Sequence, residues 1–108
     1  MLNNKIDRLS EKLEAICITG QGDGSWPIDK EGAPVGDAAL WLDGRSGDII
    51  DNWRNSEIGP KITEITHTGL NPSMQSGQMF HIFKNEPERF NKIDTVIRCK
   101  DWIFYKLT

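Results

Sequence analysis

The groups in this chain that could move protons, attack a substrate or hold a metal are two histidines, two cysteines and sixteen Asp and Glu side chains. His67 or His81 could serve as a general acid, Glu64 or Glu57 as a base, and Arg54 or Arg98 could steady a phosphate, which together describe a small hydrolase or nuclease. Cys17 or Cys99 could be a nucleophile beside either histidine, since such partners meet in space and not in sequence. No two of the His and Cys residues lie a few positions apart, as a structural zinc site requires. The carboxylate sets Asp23, Asp29, Glu31 and Asp43, Asp48, Asp51 miss the alternating donor spacing of a calcium loop. Gly20, Gly22 and Gly24 are spaced like a phosphate-cradling loop, but such a loop follows a strand and opens a helix, whereas Trp26-Pro27 follows here. The expectation is therefore no metal and no cofactor.

Recognition is the chemistry these residue types suit better. Trp41 and Trp53 flank a polar turn that carries Arg45, and Trp26 lies in the glycine-rich stretch before it. Trp and Arg dominate the energetic centres of binding surfaces. Asp23, Asp29, Asp43 and Asp48 lie among them and would meet a basic patch on a partner. Residues 20–53 are the expected working surface, with Trp26, Trp41 and Arg45 as anchors. The same glycine loop and tryptophans could instead enclose a small ligand.

The elements that must position these groups follow from hydrophobic spacing. Leu2, Ile6, Leu9, Leu13 and Ile16 recur at intervals of 4, 3, 4 and 3, which predicts an amphipathic helix over 2–16. Two heptads are too few for a coiled coil, so the seam is expected to lie on a sheet. Residues 20–36, with Trp26-Pro27 and Ala33-Pro34, predict ordered turns. Residues 38–42 and 49–53 read as a hairpin around 43–48. Residues 61–68 and 78–84 read as strands, the second with Met79, His81 and Phe83 on one face. Glu86-Pro87-Glu88-Arg89-Phe90 predicts one helical turn. The segments 94–99 and 102–107 predict a last hairpin, apolar on both faces, that buries Cys99 against Trp102.

Composition narrows the class further. The chain has 108 residues, 37% hydrophobic and 27% charged, which suits one folded domain over 1–108. A net charge of −3 argues against a nucleic-acid binder that relies on phosphate contacts. No apolar run is long enough for a bilayer or a signal peptide, so a cytoplasmic setting with free, buried thiols is expected. Asp101-Trp102-Ile103-Phe104-Tyr105-Lys106 resembles a strand of the barnase-like microbial ribonucleases over six residues, without the histidine that follows it in that family. That resemblance implies the acid-base enzyme described above. Taken together, the expected fold is α+β, an N-terminal amphipathic helix packed on an antiparallel β-sheet of about four to six strands. The expected function is a protein-binding module, an inhibitor or immunity protein of bacterial or phage origin, with a homodimer as a further possibility.

Overall fold

A computed structural model describes residues 13–108. Its elements in chain order are strand β1 (Trp26–Ile28), helices α1 (Gly47–Arg54), α2 (Ile58–Thr66), α3 (Gln75–Asn85) and α4 (Pro87–Phe90), strand β2 (Thr95–Ile97) and helix α5 (Cys99–Leu107). The two strands form an antiparallel pair in the register Trp26↔Ile97, Pro27↔Val96, Ile28↔Thr95. Isolated bridges join Ser25 to Ala39 and Ile28 to Pro34, so the 33–39 segment folds back along β1.

The expected sheet of four to six strands is not what forms: the described residues hold two strands and five helices. Three of the segments read as strands are helices, and each has a local reason. In α1, Asp48 in the first turn and Arg54 in the last complement the helix dipole, while Ile49 and Ile50 turn inward. Residues 61–68 look like a strand because Ile and Thr are stiff at χ1 and favour extended backbone. In α2 that preference is overcome. Ser56 Oγ accepts the Ile58 N–H at 3.2 Å, and Pro60 sits in the first turn, where its missing N–H costs nothing. Thr63 and Thr66 then donate back to the carbonyls of Gly59 and Ile62, at 3.1 and 2.8 Å. The alternation over 78–84 also misleads: α3 buries Gly77, Gln78 and Ile82 on one helical face.

The C-terminal hairpin is the fourth correction. Only Thr95–Ile97 is extended, and the chain then turns into α5. Asp101 Oδ2 accepts the Arg98 N–H at 3.1 Å, so the acid at the third helical position caps the helix start. Lys106 places its ammonium 4.4 Å from the Trp102 ring centroid, one turn along the same helix. The turn expected at 86–90 is α4, with Pro87 at its start. The helix expected over 2–16 lies mostly outside the described residues. Within them, Leu13 to Ile16 carry no regular structure and both end residues are exposed.

The core sits between β1, the returning 35–39 segment, α1 and α3. Ile28, Val35, Ala39, Ile49, Ile50, Leu70 and Ile82 are buried, and Ile50 is fully enclosed. A Cβ at Gly77 would come within 2.9 Å of Ile50 Cδ1, so glycine there lets α3 close on α1. Among the described residues, no helix is long and apolar enough to cross a membrane.

Candidate functional site

Two buried polar residues, Ser25 and Gln78, fix the loop that precedes β1. Ser25 and Ala39 exchange both backbone hydrogen bonds, at 2.8 and 2.9 Å. The buried Ser25 hydroxyl donates to Gln78 Oε1 at 2.7 Å, and the Gln78 amide donates to the Leu40 carbonyl at 2.9 Å. One side chain of α3 thus ties together both chain segments that leave the Ser25–Ala39 bridge. Ser46, also buried, donates to the Pro72 carbonyl at 2.6 Å and holds the turn before α3 in place. Gly24 has φ +108, and a Cβ there would meet the Ala39 carbonyl oxygen at 2.7 Å and the Trp26 ring at 2.8 Å. Only glycine fits at that corner.

Two residues out from the bridge, one segment carries Asp23 and the other Trp41, and both are exposed. Asp23 is the meeting point of three parts of the chain. Ser73, in the turn before α3, donates to Asp23 Oδ2 at 2.7 Å. Arg98, at the start of α5, brings its Nη1 to 4.0 Å from Asp23 Oδ1 and donates to the Gly22 carbonyl. A Cβ at Gly22 would touch nothing within 4 Å, so the backbone there is open to an approaching ligand. The result is an exposed carboxylate, oriented from two sides, with bare backbone next to it and an indole at the same end of the fold.

The other anticipated residues have different duties. Asp29 Oδ1 accepts the N–H groups of Glu31 and Ala33, at 3.0 and 2.8 Å, and so closes its own turn. Asp43 receives Arg45 through Nε at 3.0 Å and Nη2 at 2.6 Å, a two-pronged pair that holds the Asp43 carboxyl below its ordinary pKa. Arg45 also approaches Glu86 at 4.0 Å. Asp48 is an exposed residue of the first turn of α1. Trp26 is half-buried in β1, beside Trp102, Pro34 and Ala38.

The acid-base set does not converge. His67 is an exposed residue in a left-handed conformation (φ 52) at the end of α2, the helix that carries Glu64, while Glu57 precedes it. His81 is on α3, beside Asn85 Nδ2 at 3.3 Å. Arg54 is engaged with Asp51 at 2.9 Å and with the Leu70 carbonyl. Cys17 is exposed and Cys99 only half-buried, so the expected pair of buried thiols is not formed. Of the residues that converge on Asp23, Ser73 was not singled out by its sequence. Its one signal is the Asn71-Pro72-Ser73 turn, in which Asn71 Oδ1 accepts the Ser73 N–H at 2.9 Å.

Comparison with known proteins decides the class. The model for the FGGY family of carbohydrate kinases, N-terminal domain, matches residues 1–108. The chain is 37% identical over 107 residues to the erythritol kinase of Brucella abortus, covering 99% of this chain and 21% of that protein. It is 30% identical over 98 residues to the L-xylulose/3-keto-L-gulonate kinase of Escherichia coli, covering 91% of this chain and 20% of that one. Among solved structures, a xyloylose kinase from Brucella ovis superposes with a TM-score of 0.83 at 22% identity, over 95% of this chain and 21% of that chain. A gluconate kinase from Lactobacillus acidophilus gives 0.77 at 15% identity, over 91% and 21%. The chain spans about a fifth of the length of the curated relatives it matches. These matches overturn the expected inhibitor or immunity protein, and with it the hydrolase or nuclease built on His67 or His81. This chain belongs to the FGGY family of carbohydrate kinases and matches its N-terminal domain.

Proposed function

We propose that this chain supplies part of the acceptor-sugar site of a carbohydrate kinase, with Asp23 as a hydroxyl-binding carboxylate and Trp41 as an apolar platform. The observation that carries the reading is the state of Asp23: exposed, held by Ser73 at 2.7 Å, and preceded by Gly22, where a Cβ would meet nothing within 4 Å and a ligand has room. Sugars and polyols present several hydroxyl donors, which an ionised carboxylate accepts with charge-assisted bonds. Their C–H faces are apolar and suit an exposed indole such as Trp41, which is 55% exposed. The relatives' names point to erythritol, xylulose and gluconate as the range of acceptors to test.

A kinase also needs a phosphoryl donor and the cation that accompanies it. The residues described offer no ready-made site for that half of the reaction. They contain no group of three His, Cys, Asp or Glu side chains able to hold a metal ion. The glycine loop leads into β1 and not into a helix start, so its N–H groups gain no helix dipole for a phosphate. The reading therefore assigns only the acceptor side to this chain, in a cytoplasmic setting where the nucleotide donor is held.

The test is a phosphorylation assay on the polypeptide as its host expresses it, with erythritol, L-xylulose, D-xylulose and gluconate as acceptors. Turnover of at least one is expected, and Asp23→Ala should raise its KM by about tenfold or more, the loss of a hydrogen bond to a charged group. Trp41→Ala should raise KM by a smaller factor, about threefold to tenfold. An unchanged KM in Asp23→Ala would remove Asp23 from the site.

A further inference from the structure

The turn that carries Ser73 is pinned both from outside and from within. Arg54 donates to the Leu70 carbonyl, and the buried Ser46 hydroxyl donates to the Pro72 carbonyl at 2.6 Å. Within the turn, Asn71 Oδ1 accepts the Ser73 N–H at 2.9 Å and the Asn71 carbonyl accepts the Met74 N–H at 3.2 Å. Pro72 adds a fixed φ between them. Both outside donors belong to α1 or its approach, since Ser46 precedes that helix and Arg54 ends it. The Ser73 hydroxyl is therefore placed by the helical block and not by the glycine-rich loop it touches. Asp23 is the opposite case. It stands between Gly22 and Gly24, its side chain is 48% exposed, and its own loop does little to fix its rotamer.

We infer that Ser73 is a positioning residue for Asp23, holding the carboxylate in the orientation that receives a sugar hydroxyl. The inference rests on the reading of Asp23 as a sugar contact. The Ser73 hydroxyl lies 2.7 Å from Asp23 Oδ2, within hydrogen-bond range, whereas Arg98 Nη1 stays 4.0 Å from Oδ1. A second acceptor, Asn71 Oδ1, is in reach of the same hydroxyl, but it already takes the Ser73 N–H. An ionised carboxylate is the stronger acceptor, so the proton goes to Asp23. A carboxylate has about four lone-pair sites, and one bond from Ser73 orients the group without using up its capacity for substrate hydroxyls. Fixing the side chain before the sugar arrives also removes its ordering from the cost of binding.

The experiment measures kcat, KM and melting temperature in the polypeptide as its host expresses it. The acceptor is whichever of erythritol, L-xylulose, D-xylulose and gluconate the wild type phosphorylates fastest. The variants are Ser73→Ala, Ser73→Thr, Asp23→Ala and the double variant of Ser73→Ala with Asp23→Ala. Ser73→Ala should raise KM by about threefold to tenfold with little change in kcat, the mark of lost ground-state binding. Ser73→Thr keeps the hydroxyl and should hold KM within about twofold of the wild type. In the Asp23→Ala background, Ser73→Ala should add less than about twofold, because a residue acting only through Asp23 has nothing left to hold. A Ser73→Ala variant with unmoved KM overturns the inference, whether or not it melts lower. So does a Ser73→Thr variant with a KM as high as that of Ser73→Ala. Effects that multiply in the double variant overturn it too, since Ser73 would then meet the sugar independently of Asp23. If Asp23→Ala leaves KM unchanged, or the wild type phosphorylates none of the four, the sugar-contact reading falls and takes the inference with it. If Asp23→Ala raises KM and Ser73→Ala does not, only the inference falls.

Discussion

The stretch from Gly20 to Ser46 and the block formed by α1 and α3 lie side by side but are held by different forces. In the helical block the backbone satisfies itself, and stability comes from apolar contact, with Ile50 fully enclosed against Gly77. In the loop stretch few backbone groups have ladder partners, so side chains take their place. Asp29 closes its own turn, Gln78 holds the Leu40 carbonyl, and Arg89 donates to the carbonyls of Val35 at 2.9 Å and Asp37 at 2.5 Å. The contrast teaches where a ligand site can form. A segment pinned by a few outside side chains keeps some of its own polar and aromatic groups exposed, as Asp23 and Trp41 are, while its shape stays defined.

The strongest way to break this contrast is through the block. Ile50→Ala should destabilise the protein by about 2 to 5 kcal/mol in a urea titration, since the side chain is fully buried and the tight contact with α3 limits collapse. A loss below about 1 kcal/mol would mean that contact with Ile50 is not what holds α1 to α3. Gln78→Ala comes next, at about 2 kcal/mol, because it strands the buried Ser25 hydroxyl and the Leu40 carbonyl. Unlike Ile50→Ala, it should also raise the sugar KM, since it frees both segments of the site. Arg89→Ala should cost about 1 to 1.5 kcal/mol and leave the sugar KM near the wild-type value, because the carbonyls it holds lie beyond the Ser25–Ala39 bridge from Asp23.

The smallest effect should be electrostatic. Arg45 lowers the pKa of Asp43, so this pair contributes stability above the unfolded carboxyl pKa of about 4 and loses it as pH falls through the lower folded value. With Arg45 half exposed the contribution is at most about 1 kcal/mol. Asp43→Asn should therefore flatten the acid limb of the stability–pH curve below about pH 4, and leave stability near neutrality lower by that amount. An unchanged acid limb would show that the pair adds nothing to folding.

Parts of the fold could be read directly from residue order. Pro87 after Glu86 marks α4, and the run at Thr95–Ile97 marks β2, because proline and a β-branched run act over a few residues. The errors fall where local preference and tertiary packing disagree. Ile49-Ile50, Ile62 to Thr66 and Met79 to Phe83 carry strand-like residues or alternation, yet each segment is helical. Period-2 and period-3.6 patterns overlap over five or six residues, so the pattern alone could not separate them. The cap at Asp101 was visible three residues after Arg98, but its acid reads as a turn until the helix is known. For the candidate site, Asp23 and Trp41 stood out as exposed types beside turns, while Ser73 and its link to Asp23 did not, being fifty residues away in the chain.

The sequence by itself determined the chemistry on offer: a glycine-rich turn with a carboxylate, tryptophans beside polar turns, and no spacing for a metal. It determined these because residue type and short spacing set local backbone freedom and donor or acceptor capacity. Which carboxylate matters was decided only by the tertiary structure. Gln78 on α3 draws the 25 and 40 segments together, and Ser73 and Arg98 arrive at Asp23 from two other elements. Helix or strand was settled at the same level. Ile50 and Ile82 gain burial only once α1 and α3 meet across Gly77, and that long-range contact outweighs the few tenths of a kcal/mol by which each β-branched residue prefers to be extended.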